Sequence, residues 1–255
     1  MEDITDIQNI LQFYISAGVD QTCGESICLL KKDTPPQTPT PLIRPATTRL
    51  AQDMTASRQN ARELCSKAET LDELHQLVSS FDGCALKLTA KSTVFGDGNQ
   101  NADIMIIGEA PGADEDRIGL PFVGRSGRLL EKMLAAIGLK REDVYITNVL
   151  PWRPPGNRTP TDAEIAVCLP FLKRQIELIN PKIILLLGGS AANAVLDNAD
   201  SISRLRGHFL DYTLSTTTVI PALASFHPAF LLRNSAQKAK AWTDFLRLFK
   251  KLKEN

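Results

Sequence analysis

Four short runs of apolar or β-branched residues, DIMIIGE (103–109), DVYITNV (143–149), KIILLLG (182–188) and TTVIPALASF (217–226), recur along the chain with helix-length segments between them. The intervening stretches, at about 123–138, 161–179 and 189–197, carry apolar residues at helical spacing. Strand and helix in alternation specify a three-layer α/β/α sandwich around a central, mostly parallel four-stranded sheet. In such sheets ligands gather at the carboxyl ends of the strands, so the residues just past each run are the ones to read for chemistry.

The flanks of this pattern divide the chain. Ile4, Ile7, Ile10, Leu11, Tyr14 and Ile15 recur at helical spacing, so residues 1–32 are expected to form an amphipathic helical appendage that suits a protein partner. Residues 33–48 read as an extended linker, because DTPPQTPTPLIRPA holds five of the fifteen prolines. The main domain is then 49–255. It opens with helices around 50–67 and 70–80, the second announced by Thr70 and Glu73 at capping-box spacing. It closes with a helix whose Trp242, Phe245, Leu246, Phe249 and Leu252 pack back on the core. Lys+Arg and Asp+Glu balance at 29 each, so attraction to a polyanion has to come from local clusters. MEDITDIQNI lacks the basic and apolar regions of a secretion signal, and no apolar run reaches membrane-spanning length, so a cytoplasmic protein with no membrane contact is expected. Five scattered cysteines argue against a secreted disulfide scaffold.

Four strand ends carry unusual content: GEAPG (108–112), Thr147-Asn148 leading into PWRPPGNR, GGSAA (188–192) and SFHPAFLLR (225–233). GEAPG is not a phosphate loop, because it lacks the lysine and the glycine spacing, and its carboxylate would repel phosphate. By residue type alone Phe122 in GLPFVG reads as a core anchor. Asn148 either caps the next turn or offers one donor and one acceptor to the edge of a nucleobase. A lone histidine is more often structural than catalytic, but His227 at a strand end before Pro228 turns that reading toward chemistry. Arg125, Arg128, Arg153, Arg158 and Arg233 flank these loops, and residues 228–255 hold seven Lys/Arg against two acids. Such clusters are either solvated surface or contacts to a nucleic-acid backbone.

GEAPGADEDRIGLPFVGRSGRLL, YITNVLPWRPPGNRTP and HPAFLLR, in that order, resemble the three motifs of the family 4 uracil-DNA glycosylases over roughly residues 81–250. The resemblance implies an enzyme that flips deoxyuridine out of single- or double-stranded DNA and hydrolyses its N-glycosidic bond, giving free uracil and an abasic site for base excision repair. It implies that Phe122 stacks on the base and that Asn148 bonds its N3–H and O4. Backbone groups of Gly108, Glu109 and Ala110 complete the pocket. His227 stabilises charge developing on O2, and Glu109 favours the sugar cation and orients or deprotonates water. Glu115 is a candidate for excluding the thymine methyl. Arg125, Arg153, Asn157, Arg158 and Arg233 are candidates for DNA contact, with Leu231 or Leu232 as a wedge in a loop running from His227 to Arg233. No lysine stands at a motif position, so a monofunctional glycosylase without strand cleavage is expected.

One feature of the family is broken. Its members hold an iron–sulfur cluster on four cysteines, and here only Cys84 and Cys168 match, with Phe81 and Trp152 at the other two positions. Two thiolates cannot satisfy such a cluster, so no metal and no cofactor are expected, and aromatic packing is expected to fill the space. A monomer is expected. The competing reading is a non-catalytic, polymerase-associated DNA-binding module of the same fold, which would not need Glu109, Phe122, Asn148 and His227 together. A nucleotide-binding enzyme is disfavoured by the missing phosphate loop.

Overall fold

The computed structural model describes residues 46–254, so the expected appendage and nearly all of the linker lie outside the described residues. Helix α1 (Ala46–Cys65) takes in the last three residues assigned to the linker. No proline follows Pro45 until Pro111, so nothing in the backbone delays the helix. Helix α2 (Leu71–Ser80) starts at the anticipated capping box: Thr70 Oγ1 accepts from Glu73 N at 3.2 Å, and Glu73 Oε2 accepts from Thr70 N at 3.3 Å.

The sheet has six strands rather than four, in the order β1-β3-β2-β4-β6-β5. The four expected runs become β2 (Ile104–Gly108), β3 (Tyr145–Asn148), β4 (Ile183–Leu187) and β6 (Val219–Ser225), all parallel to their neighbours among the four. The two additions are antiparallel edges, the two-residue β1 (Asp97–Gly98) beside β3 and β5 (Phe209–Thr213) beside β6. Neither carries the continuous apolar run of a strand buried on both faces, because an edge strand is covered only in part.

Alternation along the central strands supplies both halves of the core. Met105 and Ile107 of β2 and Ile184 and Leu186 of β4 join one apolar cluster with Leu74, Val78 and Phe171. Ile104 and Ile106, with Ile183, Leu185 and Leu187, join the other, against Leu130, Leu134, Phe245 and Leu248. Helices α1, α2, α5 (Asp162–Ile179) and α6 (Gly189–Leu196) belong to the first layer. Helices α4 (Arg125–Ala135) and α9 (Lys238–Glu254) form the second. Each large side chain so buried contributes roughly 1.5–3 kcal/mol, which is why the parallel strands read as unbroken apolar runs. Three short helices complete the described chain: α3 (Ala113–Ile118), α7 (Ile202–Leu205) and α8 (Pro228–Arg233). No helix among the described residues is long and apolar enough to cross a membrane.

Candidate active site at the strand ends

Parallel strands place their carboxyl ends side by side. Gly108 ends β2 directly opposite Asn148 at the end of β3, and His227 follows β6 by two residues. Beyond them lies a cavity of about 440 Å³ whose walls include Glu109, Ala110, Phe122, Asn148 and His227. The structure thus brings together every residue to which the sequence assigned a part in base binding or chemistry, Gly108 lying against two of them.

The cavity is shaped by close approaches. A Cβ on Gly108 would overlap both the Asn148 amide oxygen and the Phe122 ring, so only glycine lets these two side chains meet over the strand end. Asn148 is only 5% exposed, and no side-chain hydrogen bond satisfies its amide among the described residues. The amide is instead open to the cavity, where a ligand or water can satisfy it. The Phe122 and His227 rings lie 5.5 Å apart at 30°, forming adjacent walls. Phe122 itself is a backbone outlier at φ +53, a conformation that costs a bulky residue of order 1–3 kcal/mol and marks a site worth that strain.

His227 does two jobs at once. Its Nδ1 accepts a hydrogen bond from Ala229 N at 3.1 Å, capping α8, so the neutral ring carries its proton on Nε2. Burial, helped by the charge of Arg233, lowers its pKa to about 4. The ring is therefore neutral at ordinary pH, with an N–H to donate. The segment after it is helix rather than the expected loop, because Pro228 fills a first-turn position that needs no N–H and His227 caps the turn. That winding separates the two leucines. Leu231 is 1% exposed and packs inward, so it cannot serve as a wedge, whereas Leu232 is 40% exposed.

Of the three acids after GEAPG, Asp114 is exposed and pairs with Arg117, but the other two are not solvated. Glu115 and Asp116 are buried and spent on main chain. Glu115 accepts from the N–H groups of Gly112, Val123 and Gly124 at 2.9–3.1 Å, holding the Phe122 loop. Asp116 accepts from Lys91 N at 2.7 Å and Ser92 N at 3.2 Å, with Arg153 3.8 Å away. Around the rim, Arg125 and Arg233 are exposed, and Arg153 donates to the Asn157 side chain at 2.7 Å. Arg158 spends its fork on Glu164 at 2.6 and 2.9 Å, and that bond draws the Glu164 carboxyl down to about 2. Sequence reasoning missed Arg141, which grips the Phe122 loop from the other side; a single arginine in REDV reads as surface, and only tertiary contacts reveal it.

Four residues past Asn148 the character changes. Trp152 is 1% exposed, donates its indole N–H to Thr93 at 3.1 Å, and lies 6.5 Å from the Phe81 ring, which packs edge-on to Phe171 at 5.0 Å. Beside them the Cys168 thiol donates to the Cys84 sulfur at 3.9 Å, which lowers the Cys84 thiol and, with burial, pushes Cys168 well up. Two thiols in mutual contact and two aromatic rings do not fit a four-thiolate cluster. Cys65 belongs to another cavity, beside Lys173 and Arg174, and Cys23 and Cys28 lie outside the described residues.

The ends of the parallel central strands thus gather an aromatic wall, an accessible amide, a neutral histidine and a carboxylate. The family model of the uracil DNA glycosylase superfamily matches residues 95–250. Among curated proteins, the chain is similar to the type-4 uracil-DNA glycosylase of Thermotoga maritima, at 43% identity over 176 residues, covering 69% of this chain and 90% of that one. It is similar also to the type-4 uracil-DNA glycosylase of Archaeoglobus fulgidus, at 42% identity with 71% and 92% covered. A third, from Pyrobaculum aerophilum, is 38% identical with 70% and 93% covered. The chain belongs to the type-4 uracil-DNA glycosylases.

Proposed function

We propose that the chain hydrolyses the N-glycosidic bond of deoxyuridine in DNA, releasing uracil and leaving an abasic site, the opening step of base excision repair. The observation that carries this is the Asn148 amide, unpaired by protein, open to the cavity and flanked there by Phe122, His227 and Glu109. An amide offers an acceptor to uracil N3–H and a donor to O4, and cytosine presents the opposite pattern at both atoms. A base stacked within a duplex cannot reach such a cavity, so the nucleotide flips out, at a cost of a few kcal/mol. Leu232 is the exposed candidate to fill its place in the stack.

Bond cleavage leaves negative charge on the base and an oxocarbenium-like sugar. The His227 Nε2–H donates to uracil O2 as charge develops, and because the ring is neutral it does so without surrendering a proton. The Glu109 carboxylate favours the sugar cation and orients or deprotonates the water that attacks it. Water supplies hydroxide to the sugar carbon and its proton to the departing uracil, so the balance closes as hydrolysis. With no lysine at the site's motif positions there is no amine to form a Schiff base, and the enzyme is monofunctional. Asn157 and Arg233 line the cavity and Arg125 and Arg153 adjoin lining residues, so these four suit DNA phosphates, while Arg158 braces the loop through Glu164. Glu115 lines the cavity while accepting from the loop amides, so it holds that loop and is the candidate for excluding the thymine methyl.

The reaction needs no cluster, and we infer that Phe81 and Trp152 fill the cluster's place with a packed core. Cytoplasmic residence and a monomeric state fit this reading. The test is alkali-revealed cleavage of a labelled oligonucleotide bearing one uracil, by purified protein without added metal, beside Asn148→Ala and His227→Ala. Uracil-dependent abasic sites that both substitutions diminish support the reading. A folded protein that binds DNA and leaves uracil in place would leave only a binding module.

A further inference from the structure

A phenylalanine at φ +53 has to be held there, and two side chains do it from opposite sides. Glu115 Oε1 accepts from Val123 N at 3.0 Å and Gly124 N at 2.9 Å, just after the ring. Arg141 donates through Nη2 to the Pro121 carbonyl at 2.6 Å and through Nη1 to the Phe122 carbonyl at 3.1 Å. Gly127 leaves room for that same carbonyl, since a Cβ there would overlap it. Arg141 is fixed in turn, its Nε donating to Asp97 at 2.6 Å and its Nη1 lying 3.3 Å from Glu131.

The anchors of Arg141 connect the loop to the other half of the pocket. Asp97 lies in β1, paired with Ile146 of β3, and β3 ends at Asn148. One guanidinium therefore ties the Phe122 main chain to the strand that carries the unpaired amide, although Arg141 itself is not part of the cavity wall. A guanidinium suits this work because its planar fork donates in several fixed directions at once, which an ammonium cannot copy.

We propose that Arg141 is a positioning residue for base excision: by holding the Pro121 and Phe122 carbonyls it sets the plane of the Phe122 ring against which uracil stacks, in register with Asn148, without touching the base. The inference rests on the uracil-excising reading above. Misplacement of a reacting group by a fraction of an ångström to an ångström slows the chemical step far more than it weakens the ground-state complex.

The experiment compares the full-length wild-type protein with Arg141→Ala, Arg141→Lys and, as a control, Lys182→Gln, whose exposed pair with Asp103 lies at the amino end of β4. Single-turnover excision rate, KM for a uracil oligonucleotide, affinity for the uracil-free oligonucleotide and melting temperature are measured on each. Arg141→Ala is expected to lose roughly 10- to 100-fold in rate, with KM and uracil-free DNA affinity nearly unchanged. Arg141→Lys is expected to fall between it and wild type, and guanidinium ion well below denaturing concentration to restore rate to Arg141→Ala while leaving wild type unchanged. A folded Arg141→Ala that excises at the wild-type rate, or whose loss is all in KM, overturns the proposal. Should Arg141→Ala not fold, Arg141→Lys decides by the same split of rate and KM. Wild-type protein that excises no uracil overturns the functional reading itself, whereas normal excision by wild type and variant alike overturns only the role of Arg141.

Discussion

Asn148 and Trp152 stand four residues apart and live in opposite worlds. The asparagine amide is left without a protein partner and open to a cavity, beside a phenylalanine in a strained conformation. The tryptophan is fully buried, its one polar group is bonded to Thr93, and the Phe81 ring lies stacked beside it. The first region gives up stability to keep groups available, and the second supplies stability by leaving nothing available. A site of this kind needs such a neighbour, because a strained backbone costs free energy that packing elsewhere has to offset.

Substitutions on the two sides should separate stability from chemistry. The largest expected effect is on the packed side: Trp152→Ala is expected to cost roughly 3–5 kcal/mol in denaturant unfolding, while the fraction still folded keeps its excision rate. On the open side, His227→Ala is expected to slow excision by roughly 10²- to 10³-fold, the range for removing one charge-stabilising donor, and to cost about 1 kcal/mol of stability through the lost cap of α8. If Trp152→Ala instead abolished the rate of folded protein, the two regions would not be separable.

Acid sharpens the contrast further. His227 takes its proton at about 4 in the folded chain and near 6.5 when unfolded, so between those values the unfolded state binds more protons and stability rises with pH. Its contribution is complete above pH 6.5 and is lost as pH falls through about 4; in His227→Gln, unfolding followed across that window should show a shallower acid slope than wild type. A smaller effect is expected at the rim. Leu232→Ala should slow excision from duplex DNA by about tenfold and from single strands hardly at all, because a wedge is needed only where a stack must be filled. The smallest lies far from the cleft: Thr70→Ala should cost about 1 kcal/mol of stability through the lost helix cap and leave excision kinetics untouched.

Much of this contrast could be read from sequence, for definite reasons. The central strands declare themselves because burial on both faces demands unbroken apolar runs, and Thr70 with Glu73 fixes the start of α2 to the residue. The strand-end residues Glu109, Phe122, Asn148 and His227 were legible because parallel topology delivers strand ends to one crevice and because their motifs are ordered. Strand β5 was not, since FLDYT is half exposed at an edge and its pattern is weak. The helix of HPAFLLR was hidden by a proline that reads as a loop, although proline at a first turn favours a helix. Glu115 and Asp116 look like ordinary surface acids, and only the folding of a loop over them turns them into acceptors for buried amides. Arg141 is invisible for the same reason, its four partners being ten or more residues away in sequence.

The central claim is that the open cavity does the chemistry while the aromatic-packed region replaces a cluster. The most direct measurement is iron and sulfide content together with uracil excision on one preparation, expressed with iron supplied and handled without oxygen. The account predicts negligible iron per chain and full single-turnover excision, unaffected by chelator. Stoichiometric iron whose removal abolishes excision would contradict it.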